Sequence, residues 1–105
     1  MSQPPQLSDE ARRAALAKAA EARRVRSDLK QLLKMGSVSF PELLEKADAD
    51  EIIGRTKVLA VLESMPGVGK VKARRTMESI GIAENRRLRG LGAKQREDLL
   101  DIFGG

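Results

Sequence analysis

Twelve residues, Leu62-Glu63-Ser64-Met65-Pro66-Gly67-Val68-Gly69-Lys70-Val71-Lys72-Ala73, carry the strongest chemical signal in the chain. Pro66 ends a helix, because its ring blocks the continuing hydrogen-bond ladder. Gly67 and Gly69 permit positive φ and leave the backbone bare, so a ligand can approach closely. Val68, between them, is placed to plug the turn into the core. A helix that begins at such a turn aims its unpaired amides and positive dipole end at whatever the glycines admit. The natural occupant is a phosphate oxygen, with Lys70 and Lys72 adding charge beside it. Neither a glycine nor an amide reads a base, so this chemistry predicts binding largely indifferent to sequence.

A second cluster, Asn85-Arg86-Arg87-Leu88-Arg89-Gly90-Leu91-Gly92, places three arginines in a loop tied down by Leu88 and Leu91. Fixed arginines on a loop suit phosphate forks or entry into a narrow minor groove, where the negative potential is enhanced. A third group, Arg23, Arg24 and Arg26, offers further phosphate contacts from an Ala/Arg-rich stretch.

Other chemistries are excluded or unsupported. The Gly69-Lys70 pair is not a nucleotide-binding P-loop, which needs a preceding strand, wider glycine spacing and Ser or Thr after the Lys, where Val71 stands here. The chain has no Cys and no His, which removes thiol and imidazole catalysis, disulfides and the usual zinc sites. Asp48, Asp50 and Glu51 read as helix-cap and dipole chemistry rather than a cation site, so neither metal nor cofactor is expected. An enzyme would need carboxylates and a metal in ligand spacing, and none is recognisable. With only Phe40 and Phe103 as aromatics, the stacking platforms of single-strand binders cannot be built.

The 105 residues carry 20 Lys and Arg against 15 Asp and Glu, a net +5 that points to a polyanionic partner. The charge is uneven. Up to Lys30 there are seven bases and four acids, from Pro66 onward nine and five, and between them four and six. No apolar run approaches a signal sequence or a membrane span, so no membrane is expected and the cytoplasm is the expected location.

The elements that must position these groups are helical throughout. Residues 1–7 read as a frayed tail, and Ser8 as the N-cap of a helix reaching about Met35, with Gly36 as its stop. Its first half is apolar almost only through Ala, so it would bury little and project from the domain or order on a ligand. Val25, Leu29, Leu32 and Leu33 mark the half that packs. Ser39 and Glu42 form a capping box for a short helix to about Lys46. Asp48 or Asp50 then caps a single turn ending at Ile53 before Gly54, and Thr56 caps a helix through Met65. Further helices are expected over Lys70–Ser79, closed by Gly81, and Ala93–Phe103.

The hairpin resembles the helix-hairpin-helix family. Together with Gly54-Arg55-Thr56-Lys57-Val58 and Arg86-Arg87-Leu88-Arg89-Gly90-Leu91-Gly92, the chain resembles the actinobacterial integration host factors over nearly its whole length. The resemblance implies an all-α helix-two-turns-helix DNA-binding domain at 36–105, preceded by the tail and Ala/Arg-rich helix at 1–35. It implies a nucleoid-associated monomer that binds double-stranded DNA with little sequence preference, bends it, influences topology and can assist a phage integrase. It assigns DNA binding to Pro66, Gly67, Val68, Gly69, Lys70, Lys72, Arg86, Arg87 and Arg89, with Arg86 entering a groove, and extra contacts to Arg23, Arg24 and Arg26. The alternative is an RNA- or ribosome-binding protein of similar helical fold.

Overall fold

Ser8 opens the first helix: its hydroxyl accepts from the Ala11 N–H at 3.1 Å, and Asp9 and Glu10 sit in the first turn, beside the positive dipole end. In the computed structural model, which describes residues 8–104, this helix, α1, spans Asp9–Lys34. At 26 residues it is about 39 Å long. Only its second half packs, through buried Leu29 and Leu33, while residues 12–21 are all exposed. The molecule is accordingly elongated, 58 × 29 × 25 Å. The expected tail at 1–7 lies outside the described residues.

Five more helices follow: α2 (Phe40–Ala49), α3 (Glu51–Gly54), α4 (Val58–Ser64), α5 (Gly69–Ile80) and α6 (Ala93–Phe103), with a 3-10 turn at Leu88–Gly90. The described residues contain no strand, only one isolated antiparallel bridge between Lys57 and Arg87. Helix α2 runs past Lys46 because Ala47, fully packed, and Ala49 continue it. Asp50, not Asp48, caps α3, accepting from Ile52 and Ile53 N–H at 2.8 and 3.3 Å. Asp48 lies inside α2 and pairs instead with Arg96 of α6.

One expected cap is corrected. Thr56 does not cap α4; the N-cap is Lys57, with no side-chain hydrogen bond. The buried Thr56 hydroxyl donates to Ile52 O at 3.1 Å, satisfying a carbonyl left open at the end of α3. The first amide of α4 is served from afar, by Arg86 O at 2.9 Å from Val58 N. Gly54 is the last residue of α3 rather than a stop beyond it, and it is needed for space. A Cβ there would stand 2.8 Å from Ala47 O, with Arg89 on its other side.

A single core joins these pieces, built from Leu29 and Leu33 of α1, Phe40, Leu43 and Leu44 of α2, Val58, Val61 and Leu62 of α4, Ala73 and Met77 of α5, and Leu88 and Leu99. The two aromatics close it: the Phe40 and Phe103 rings lie 5.8 Å apart, tilted at 46°.

Candidate nucleic-acid interface

The hairpin between α4 and α5 folds as its composition dictates. Met65 ends α4 in extended backbone, Pro66 follows, and Val68 N–H donates back to Met65 O at 3.2 Å. Gly67 and Gly69 take φ of 74° and 70°, and no atom lies within 4 Å of where either Cβ would stand. Nothing inside the protein therefore requires that space, which is open to a ligand from outside. Val68 is half-buried against the core, as a plug should be, and no side chain caps α5. Pro66, Lys70 and Lys72 are exposed around the turn.

The arginine loop is held by the opposite end of α4. Val58 N–H donates to Arg86 O at 2.9 Å and Leu88 N–H to Thr56 O at 3.0 Å, which makes the Lys57–Arg87 bridge. From the other side, Gln95 Oε1 accepts from Gly92 N–H at 3.0 Å while its Nε2 donates to Gly81 O at 3.2 Å, tying the loop's end to the end of α5. Leu88 is buried beneath it.

The three arginines make different contacts. Arg86 lies over its own loop, Nη1 donating to Gly90 O at 3.1 Å, and a Cβ at position 90 would press on it, meeting Arg86 Cδ at 3.3 Å. Its remaining donors are free. Arg87, also exposed, donates from its guanidinium to Arg55 O across 32 positions of sequence. Arg89 lies against Gly54. Arg86, Arg87, Arg89 and Gly90 line one depression with Gly54 and Arg55.

Helix α4 is seven residues, about 10 Å long, with the hairpin at its C-terminal end and the arginine loop fastened at its N-terminal end. Four ion pairs form among the described residues, Glu51–Arg55, Arg74–Glu84, Lys94–Asp98 and Asp48–Arg96. None involves Lys70, Lys72, Arg86, Arg87 or Arg89. No group of three or more His, Cys, Asp or Glu that could hold a metal occurs among the described residues, and no described helix is long and apolar enough to cross a membrane.

Of the α1 arginines, Arg26 is half-buried and lines a cleft with Arg55 and Lys57. Arg23 and Arg24 are exposed, and at 100° per residue Arg24 falls on the side of α1 away from Leu29 and Leu33. Sequence reasoning missed Lys30, Arg55 and Lys57 as members of the basic surface. For Arg55 and Lys57 the signal was Gly54-Arg55-Thr56-Lys57, read as a helix start and as part of the family resemblance but not for its charge; Lys30 has no local signal.

The arrangement defines a helix-two-turns-helix protein with a glycine hairpin at one end of a short helix and an arginine loop fastened at the other. Residues 33–103 match the family model described as an S13-like H2TH domain. The chain belongs to the actinobacterial integration host factor family: it is 54% identical to the integration host factor of Mycobacterium tuberculosis, covering 95% of each chain, and 49% identical to that of Streptomyces coelicolor, covering 95% of this chain and 94% of that one. It is also similar to a solved structure described as sIHF bound to an 8-base-pair palindromic DNA, with a TM-score of 0.81, 48% identity, and coverage of 84% of this chain and 99% of the other.

Proposed function

We propose that this protein is a nucleoid-associated architectural protein that binds duplex DNA largely without sequence specificity, bends it and thereby influences topology. One observation carries the reading: two groups of basic residues free of ion pairs, Lys70 with Lys72 and Arg86 with Arg89, stand at the two ends of α4, the first beside a glycine hairpin whose open side has room for a ligand. Relatives named integration host factor, and a related structure bound to DNA, support it. In this reading the hairpin amides, Lys70 and Lys72 hold one strand's phosphate, Arg86 enters the adjacent groove, and Arg89 adds charge beside it. Residues 36–105 form the gripping domain. The exposed first half of α1 is an arm that lies along the duplex, with Arg23 and Arg24 reaching phosphates beyond the core footprint. The role is architectural rather than catalytic, is carried out in the nucleoid, and needs no cofactor.

The test is a fluorescence-anisotropy titration of a mixed-sequence duplex at several salt concentrations, with unlabelled duplex RNA and single strands as competitors. Binding should weaken steeply with salt, with log K falling by about 0.9 per decade for each phosphate neutralised, and duplex DNA should win. If duplex RNA competes better, the protein is a ribosomal-type RNA binder; absence of binding at low salt defeats both readings.

A further inference from the structure

Where α1 crosses the start of α4, a depression of about 270 Å³ is lined by Arg26, Lys30, Arg55, Lys57 and Arg87, with only Thr56 and Ala60 besides. No acid lines it. Arg55 is paired with Glu51 outside it, at 2.6 Å, while Arg26, Lys30, Lys57 and Arg87 have no carboxylate within 4.0 Å among the described residues. The crowding is built in by the fold. Arg26 and Lys30 are one helical turn apart on α1, flanking the side that Leu29 and Leu33 bury. Lys57 and Arg87 are the two members of the antiparallel bridge, so they stand directly opposite on one face, where like charges destabilise each other.

We propose that this cleft is a second anion site, separate from the hairpin, which takes a phosphate group and holds α1 against the α3–α4 junction through it. The ligand chemistry follows from the lining. Three arginines and two lysines line it, Arg55 already paired with Glu51 and Arg87 fixed by the Arg55 carbonyl, so a tetrahedral polyanion can be met from α1, the start of α4 and the arginine loop at once. Without it the cations repel one another across the contact between α1 and the domain. With it they become the clasp. The phosphate can belong to the DNA backbone or to a free polyphosphate. The site goes beyond the proposed architectural role, because its occupation by a free anion requires no DNA.

The experiment uses the full chain and a Lys30→Gln/Lys57→Gln double variant, with each single variant in reserve should the double fail to fold. Thermal unfolding is followed with inorganic triphosphate against sodium sulfate of equal ionic strength, and DNA binding by the salt dependence of the duplex titration. Relief of repulsion should leave the free variant at least as thermostable as the parent. If a free polyphosphate is the occupant, triphosphate raises the parent's Tm by several degrees more than sulfate does and the variant loses the difference. If a DNA phosphate is the occupant, the variant's salt slope falls by about 0.9 while the hairpin still binds DNA. A variant that is less stable than the parent, or one that leaves both the triphosphate shift and the slope as in the parent, overturns the site. Failure of the parent to bind DNA would defeat the architectural reading and leave the triphosphate comparison as the test of this cleft.

Discussion

Replacing Gly67 and Gly69 together by Ala separates the hairpin's role in folding from its role in binding. Both residues hold φ near +70°, and both would-be methyl groups point into empty space. The folded protein therefore meets backbone strain without a steric clash. A left-handed L-residue costs roughly 1–2 kcal/mol, partly offset by the lower entropy of an Ala-containing unfolded chain, about 0.4–1 kcal/mol per site. The double variant should lose about 2 kcal/mol, equivalent to a Tm drop of about 10 °C for a domain of this size, and remain folded. On DNA the same methyls occupy the approach of the phosphate. A hydrogen bond to a charged group is worth about 1.5–3 kcal/mol, so losing one weakens binding roughly ten- to a hundredfold. The control is Gly36→Ala: Gly36 has φ 73° and equally open space at the end of α1. It should show comparable destabilisation per site with unchanged affinity. Circular dichroism at a temperature where all three proteins are folded, followed by duplex titration, decides the matter. If folded G67A/G69A binds within twofold of the parent, the hairpin does not hold a phosphate and the mechanism is wrong.

Other substitutions test the remaining parts. Arg86→Ala should lower duplex affinity by about 1–3 kcal/mol and reduce DNA bending measured by end-to-end energy transfer; Lys94→Ala, whose ammonium is engaged by Asp98 at 3.2 Å, should change neither, and a larger loss at Lys94 would move the groove contact elsewhere. Gly54→Ala should destabilise by about 1–3 kcal/mol in urea, because the new methyl meets Ala47 O at 2.8 Å; an unaltered midpoint would show that α2 and α3 can separate freely. The hydrogen bond from Arg96, opposed by desolvation, holds the Asp48 carboxyl below its ordinary value of 3.8. Its folded pKa is depressed, so its stabilisation is complete above the unfolded value and is lost as pH falls through the folded one. Asp48→Asn should remove that part of the acid limb and leave the slope near neutral pH alone, as read from denaturation midpoints at falling pH.

The hairpin was legible because everything that makes it is local. Pro66, two glycines, one apolar plug and two lysines fall within seven residues, and each acts on its own stretch of backbone. Helix ends marked by Ser8, Ser39 and Gly81 were legible for the same reason. Thr56 was misread because a threonine before an apolar run has two possible acceptors or donors, and the choice fell to Ile52 O once α3 ended there. The Lys57–Arg87 bridge and the Asp48–Arg96 pair join residues 30 and 48 positions apart, and no local pattern announces them. The arginine loop shows the consequence most sharply. From sequence, Arg86 and Arg87 are equivalent neighbours. Once the bridge extends the backbone at Arg87, with φ −100° and ψ 157°, its guanidinium reaches the Arg55 carbonyl while that of Arg86 folds back onto Gly90 O. Both remain exposed along one depression, and Arg87 in addition caps the end of α3.

That division bears on why such an interface can be strong without reading bases. An arginine free on a loop loses rotamer entropy of up to about 2 kcal/mol when it is fixed. Arg86 is already laid across Gly90, and its loop is fastened at Val58, Thr56 and Gln95. The glycine hairpin is likewise set before any ligand arrives, by Pro66 before it and Val68 in the core. Both contacts are therefore organised in the free protein, and they are spaced by a helix too short to bend. A duplex that meets both must fit their spacing, so deformation falls on the DNA rather than on the protein. Sequences that deform cheaply would be favoured modestly through that energy, and no side chain needs to recognise a base edge for the preference to arise.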